Sequence, residues 1–138
     1  MKKVLIGWVA VFVAMEICDF LIHGVILTSA YQATATLWRP DMQSLMWVYY
    51  VIALVGSFFF TFIFSKGYEG KGIAEGARYG LYIGIWMSIG MAYGTYAMIA
   101  IPYTMALQWF IYGVIGYVVY GIILALIFGK KTEATPAA

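Results

Sequence analysis

Four long apolar segments divide this chain, roughly Val4 to Tyr31, Leu45 to Ser65, Ile73 to Ile101 and Met105 to Phe128. Each meets or exceeds the roughly 20 residues needed to cross a hydrocarbon core of ~30 Å. Backbone at that depth must satisfy its own hydrogen bonds, which leaves helices or a closed β-barrel. Barrel strands alternate polar and apolar residues over about ten positions, and these segments do not. The sequence therefore predicts an all-α fold, an integral membrane four-helix bundle filling residues 1–129 as one domain, with a tail over 130–138. Composition puts a soluble fold at a disadvantage: 64% of the 138 residues are hydrophobic and only 10% are charged, against about a quarter charged in soluble domains.

The start, Met1-Lys2-Lys3 followed by Val4 to Met15, imitates the charged and apolar regions of a secretory signal. No small-residue cleavage pattern follows, and the apolar stretch resumes past Glu16 and Asp19 to Ala30, so this segment is expected to remain as the first span. The connections are a polar stretch Gln32 to Ser44 containing Arg39-Pro40-Asp41, a glycine-rich loop Lys66 to Gly72, and a tight turn around Pro102. In a four-span arrangement Lys2, Lys3, Lys66, Lys71, Arg78, Lys130 and Lys131 share one side and Arg39 stands alone on the other. Cytoplasmic flanks carry the excess of Lys and Arg, so both termini are expected in the cytoplasm. Trp38, Trp47, Trp109, Tyr31, Tyr49, Tyr50 and Tyr103 gather on the opposite side, as an interfacial aromatic belt would. With the basic residues in short clusters beside apolar runs and a net charge of +2, charge sets orientation and points to the lipid bilayer, not nucleic acid, as partner.

The first segment holds the only concentrated polar chemistry. Glu16, Asp19 and His23 fall within about 60° of one another on a helical face and extend about 10 Å along it. An aspartate at the centre of a membrane helix costs about 2.5 to 3.5 kcal/mol by insertion scales, so the stripe is expected to face the other helices, a water-filled cavity or a partner subunit. Ser57, Trp86, Ser88, Tyr93, Tyr112 and Tyr117 are available at similar depth to donate hydrogen bonds. Two readings stay open. In the first, Glu16, Asp19 and His23 form an ion site, since carboxylate oxygens with one imidazole suit a divalent metal and the same groups suit a proton relay. A metal would then need hydroxyls, carbonyls, water or a second copy of the chain to complete its shell. In the second, the carboxylates are interhelical glue, a modest return at under about 1 kcal/mol per bond.

Other features carry less chemistry. Gly80, Gly84 and Ser88 recur every four residues with Gly90 and Gly94 on a neighbouring face, and Gly113, Gly116 and Gly121 follow on the last segment; these suit close helix packing. Glu75 and Arg78, at i and i+3, read as a local ion pair. Cys18 is alone, which excludes an internal disulfide, and the lone His23 excludes a haem held by two histidines of one chain. Gly67, Gly70 and Gly72 lack the Gly-Lys-Ser or Gly-Lys-Thr of a phosphate loop. No nucleophile–base pair is visible, so an enzyme is not expected.

The run Asp19-Phe-Leu-Ile-His23-Gly24, with Tyr31 and Trp38-Arg39, and then Gly76-Ala-Arg78-Tyr-Gly80-Leu-Tyr-x-Gly84, resembles small uncharacterised bacterial four-helix inner-membrane proteins over the first two thirds of the chain. The resemblance implies a fold and a bacterial inner-membrane location, and no activity or cofactor. The expected function is a non-enzymatic membrane protein, homo-oligomeric or part of a larger membrane complex, whose Glu16, Asp19 and His23 bind or relay a cation. The alternative is an accessory subunit that packs onto a larger complex.

Overall fold

A computed structural model describes residues 1–129, which are helical without a strand among them. The expected tail over 130–138, with Lys130 and Lys131, lies outside the described residues. Helix α1 spans Lys2–Asp19 and passes directly into a π-helical stretch, Phe20–Ile26; α2 is Thr28–Ala33, α3 Met46–Gly67, α4 Ile73–Met98 and α5 Tyr103–Phe128. Three stretches are long and apolar enough to cross a membrane: Lys2–Ile26, Met42–Gly67 and Tyr103–Phe128, of 25, 26 and 26 residues. Helix α4 is as long, at 26 residues, but Glu75, Arg78, its tyrosines and five glycines, Gly76, Gly80, Gly84, Gly90 and Gly94, dilute its apolar character. Length alone does not make it a span.

Local chemistry sets the helix starts. Pro102, with φ −59°, caps α5 and loses nothing there, because the first turn of a helix leaves its N–H groups unpaired anyway. Gly72 caps α4 at φ +83°, and Gly70 precedes it at φ +90°; side-chain-bearing residues rarely adopt that backbone. The Lys66–Gly72 loop depends on these two glycines to reverse direction.

The closest helix pair is α4 with α5. A Cβ added at Gly76 would overlap the Gly121 carbonyl oxygen, one at Gly80 would overlap that of Tyr117, and one at Gly84 would come within 2.9 Å of Tyr117 Cβ. Ser88 continues the row against Gly113. The four-residue stripe expected to begin at Gly80 thus begins a turn earlier, at Gly76, while Gly90 and Gly94 face open space. Close backbone approach of this kind holds helices together in lipid, where no hydrophobic drive acts between them.

Two cores flank this seam. Near the N-terminus and the α3–α4 loop, Val11, Met15, Phe60, Phe64, Tyr120 and Leu124 pack together. At the opposite, distal end, Leu27, Ala92, Ile101, Met105, Ala106 and Trp109 form the second. Helix α1 buries Gly7, Val11 and Met15. It meets α3 through Trp8, whose Nε1 donates to the Leu54 carbonyl at 2.9 Å, and through Gly7 against Thr61. Beyond that meeting the distal end of α3 is bare, with Trp47, Tyr49, Tyr50, Val51 and Ile52 exposed.

Gly80→Ala should therefore destabilise the protein by about 1–3 kcal/mol, the usual cost of overpacking. Gly94→Ala should change stability by less than about 0.5 kcal/mol, as surface replacements do. Thermal unfolding in mild detergent measures both, and equal melting temperatures would mean that the seam does not hold the pair. Gly129 is a poor comparator, since its φ of +70° strains any side chain.

Candidate functional site

The stripe read from helical periodicity divides in two. Asp19 lies one turn beyond the buried Met15, yet Asp19 is exposed and Glu16 only half-buried. After Asp19 the backbone winds more loosely, with Leu27 N–H donating to the Ile22 carbonyl at 2.8 Å, the i→i+5 bond of a π-turn. The Gly24 carbonyl is taken up by Thr28 Oγ1 at 2.7 Å. This stretch carries His23 away from the carboxylates and into the distal core. There His23 Nδ1 shares a hydrogen bond with the Tyr31 hydroxyl at 2.7 Å, the donor depending on the tautomer. The His23 ring lies edge-on to Trp109 at 6.4 Å, and Tyr31, Trp38 and Trp109 stack around one another at 5.6 to 6.2 Å between ring centres. The buried Trp109 Nε1 lies near the Tyr31 hydroxyl without reaching hydrogen-bond geometry.

Glu16 and Asp19 remain neighbours, and Asp19 lies within Coulombic range of Tyr31, Tyr117 and Tyr120. Neither carboxylate receives a hydrogen bond from the described residues. Most of the donors expected at this depth are committed elsewhere: Ser57 Oγ donates to the Leu54 carbonyl at 3.0 Å, Trp86 is 68% exposed, Ser88 is wedged against Gly113, and Tyr93 stacks near Tyr103 and Phe110. Tyr117 is the member of that set that feels the Asp19 charge, as Tyr120 does. Among the described residues no group of three His, Cys, Asp or Glu side chains is placed to hold a metal ion. Glu16, Asp19 and His23 do not close into one, because the π-turn commits His23 to Tyr31. Cys18 packs against the first core.

A second polar centre sits at the α3–α4 loop. The pair expected between Glu75 and Arg78 does not form. The Glu75 side chain is buried and turns back to the loop, where its two oxygens accept the backbone N–H groups of Glu69 at 2.6 Å and Lys71 at 2.7 Å. The amides of Glu69 and Lys71, on either side of Gly70, each take one carboxylate oxygen, and the carboxylate closes the Gly70–Gly72 reversal. Lys71 pairs with Glu69, and Arg78 is left exposed. In the distal loop Arg39 holds Asp41 through two contacts, 2.6 and 3.0 Å. The guanidinium keeps the Asp41 carboxyl below its ordinary range.

No protein-family model matches the chain, and no curated protein or solved structure is similar to it. What the site can do rests on its own geometry.

Glu75→Ala should cost about 1.5–3 kcal/mol, the usual worth of hydrogen bonds to a charged group, and should expose the loop to protease cleavage at Lys66 or Lys71. Arg78→Ala should do neither. Matching melting temperatures and digestion patterns for Glu75→Ala and the parent would show that the carboxylate does not hold the loop.

Proposed function

We propose that this chain is a small non-enzymatic protein of a bacterial inner membrane. It crosses four times with both termini in the cytoplasm, and it serves as a subunit of a larger membrane assembly joined through the acidic flank of α1. Asp19 carries this reading. It is exposed and without a hydrogen bond, between Ile17 and Phe20, which are 55% and 68% exposed. Lipid on that flank would leave a carboxylate in hydrocarbon at a cost of about 2.5 to 3.5 kcal/mol. A partner helix bringing a basic or hydroxyl side chain removes the cost and uses the carboxylate as the mark of correct pairing.

The fourth crossing is α4. It follows the apolar α5 closely from Gly76 to Ser88, and its far side offers Leu81, Tyr82, Ile85 and Ile89 to the surroundings. An even number of crossings puts the basic ends together in the cytoplasm. A reporter active only in the periplasm should stay silent when fused after Ala138 and become active when inserted between Gln32 and Ser44. The reverse pattern defeats the four-span reading.

A second reading, uptake or relay of a cation by Glu16, Asp19 and His23, draws on the two neighbouring carboxylates and on the His23–Tyr31 hydrogen bond at 2.7 Å. The two readings part on purification in mild detergent. A subunit brings its partner with it; Asp19→Leu loses that partner, with the melting temperature of the isolated chain unchanged or higher, because neutralising an unpaired intramembrane charge removes its desolvation cost. If the parent purifies alone, and metal content or pH-dependent ion uptake in vesicles disappears in Asp19→Asn, the assembly reading fails and the cation site stands.

A further inference from the structure

The turn from α3 into α4 leaves a cleft of about 320 Å³, walled by Ile63, Tyr79 and Tyr82, with Glu69, Glu75 and Arg78 at its polar edge. That volume is at the lower end of the roughly 300–1,000 Å³ of small-molecule sites, enough for a headgroup and too small for a whole lipid.

The charges around it are unequal in what they have left to bind. Both oxygens of Glu75 are occupied by the Glu69 and Lys71 amides, and Lys71 is held by Glu69. Lys66 leans over the Phe62 ring, its Nζ 5.0 Å from the ring centre, and neither residue lines the cleft. Arg78 alone is exposed at the cleft without an ion pair among the described residues. It lies five residues into α4, about 8 Å along the axis at 1.5 Å per residue, a depth that meets headgroups when the helix stands in a bilayer. Tyr82, four residues on and 63% exposed, shares its helical face and adds a hydroxyl donor. From Ile63 in the cleft wall, 49% exposed, the apolar surface continues to Phe59, 54% exposed, and offers a path for an acyl chain.

We infer that this cleft binds the phosphodiester headgroup of an anionic phospholipid, with Arg78 as the selecting charge. A guanidinium matches two phosphate oxygens at once, and clefts with basic residues on the cytoplasmic side of membrane helices meet the leaflet that carries anionic lipid. The inference rests on α4 standing in the bilayer, which the reporter fusions test separately. A wrong topology and an empty cleft therefore give different failures.

The test is native mass spectrometry of the full chain in mild detergent, titrated with phosphatidylglycerol, with phosphatidylcholine, and with inorganic phosphate as competitor. The parent should retain phosphatidylglycerol over phosphatidylcholine. Arg78→Gln should reduce that retention about five- to tenfold, as expected for one interfacial cation in a bidentate contact, while Arg78→Lys keeps part of it. Lys66→Gln removes the same charge from the same end of the molecule outside the cleft and should stay within about twofold of the parent. Equal retention of the two lipids, equal losses in Arg78→Gln and Lys66→Gln, or displacement of the lipid by millimolar phosphate would each overturn the assignment. The first leaves no headgroup selection, the second only bulk charge, and the third a site for free phosphate.

Discussion

The interlock of α4 with α5 is the contact on which the rest of the molecule depends. Gly76, Gly80 and Gly84 let one backbone approach the carbonyls of Gly121 and Tyr117 closely, and in lipid that dispersion-rich approach replaces the hydrophobic drive available in water. Once the pair is joined, α5 presents Tyr120 and Leu124 to one core and Trp109 to the other. Helices α1 and α3 lean on these platforms through far fewer small residues. They sit at the rim of the bundle, and the rim is where the polar chemistry of α1 becomes accessible.

Much of this was legible in the sequence, and the losses have physical causes. Segment length and the absence of alternation identify helices, and the four-residue spacing of Gly80, Gly84 and Ser88 identifies the packing face, because both depend on local geometry that is the same in any helix. The division of the polar stripe was not legible. Periodicity assumes one helical pitch from Glu16 to His23, and the sequence marks the π-turn only by Gly24 within Phe20–Ile26 and by Thr28 just after it, whose hydroxyl donates to the Gly24 carbonyl. Depth matching failed for Ser57 for a different reason: α3 meets α1 at Trp8 and Gly7, far from Asp19, and helix contacts between segments distant in sequence leave no periodic trace.

The Glu75 result shows how spacing misleads at a helix start. A carboxylate at i and a guanidinium at i+3 are neighbours on the helix surface, but the first turn of α4 also adjoins a loop whose amides need acceptors. Buried backbone N–H groups left unpaired are costly, whereas an exposed ion pair contributes little. The amides therefore claim the carboxylate and Arg78 is released, which replaces the expected pair by a loop clasp and an exposed cation.

The same comparison weighs on Asp19. Asp41 has Arg39, Glu69 has Lys71, and Glu75 has two amides; each of these acids lies in a loop or at a helix end, where leaving it unpaired would cost least. Glu16 and Asp19 lie within the Lys2–Ile26 stretch, one apolar enough to cross a membrane, and among the described residues they are the acids without a hydrogen bond. Folding of this chain alone gives no return for carboxylates in that position, since α1 reaches the bundle through Gly7, Val11 and Met15 whatever stands at the exposed flank. On the proposed reading the return comes from a partner that meets the flank after folding. A positive or hydrogen-bonding side chain on another helix meets it without demanding the third ligand that His23, bound to Tyr31, does not supply.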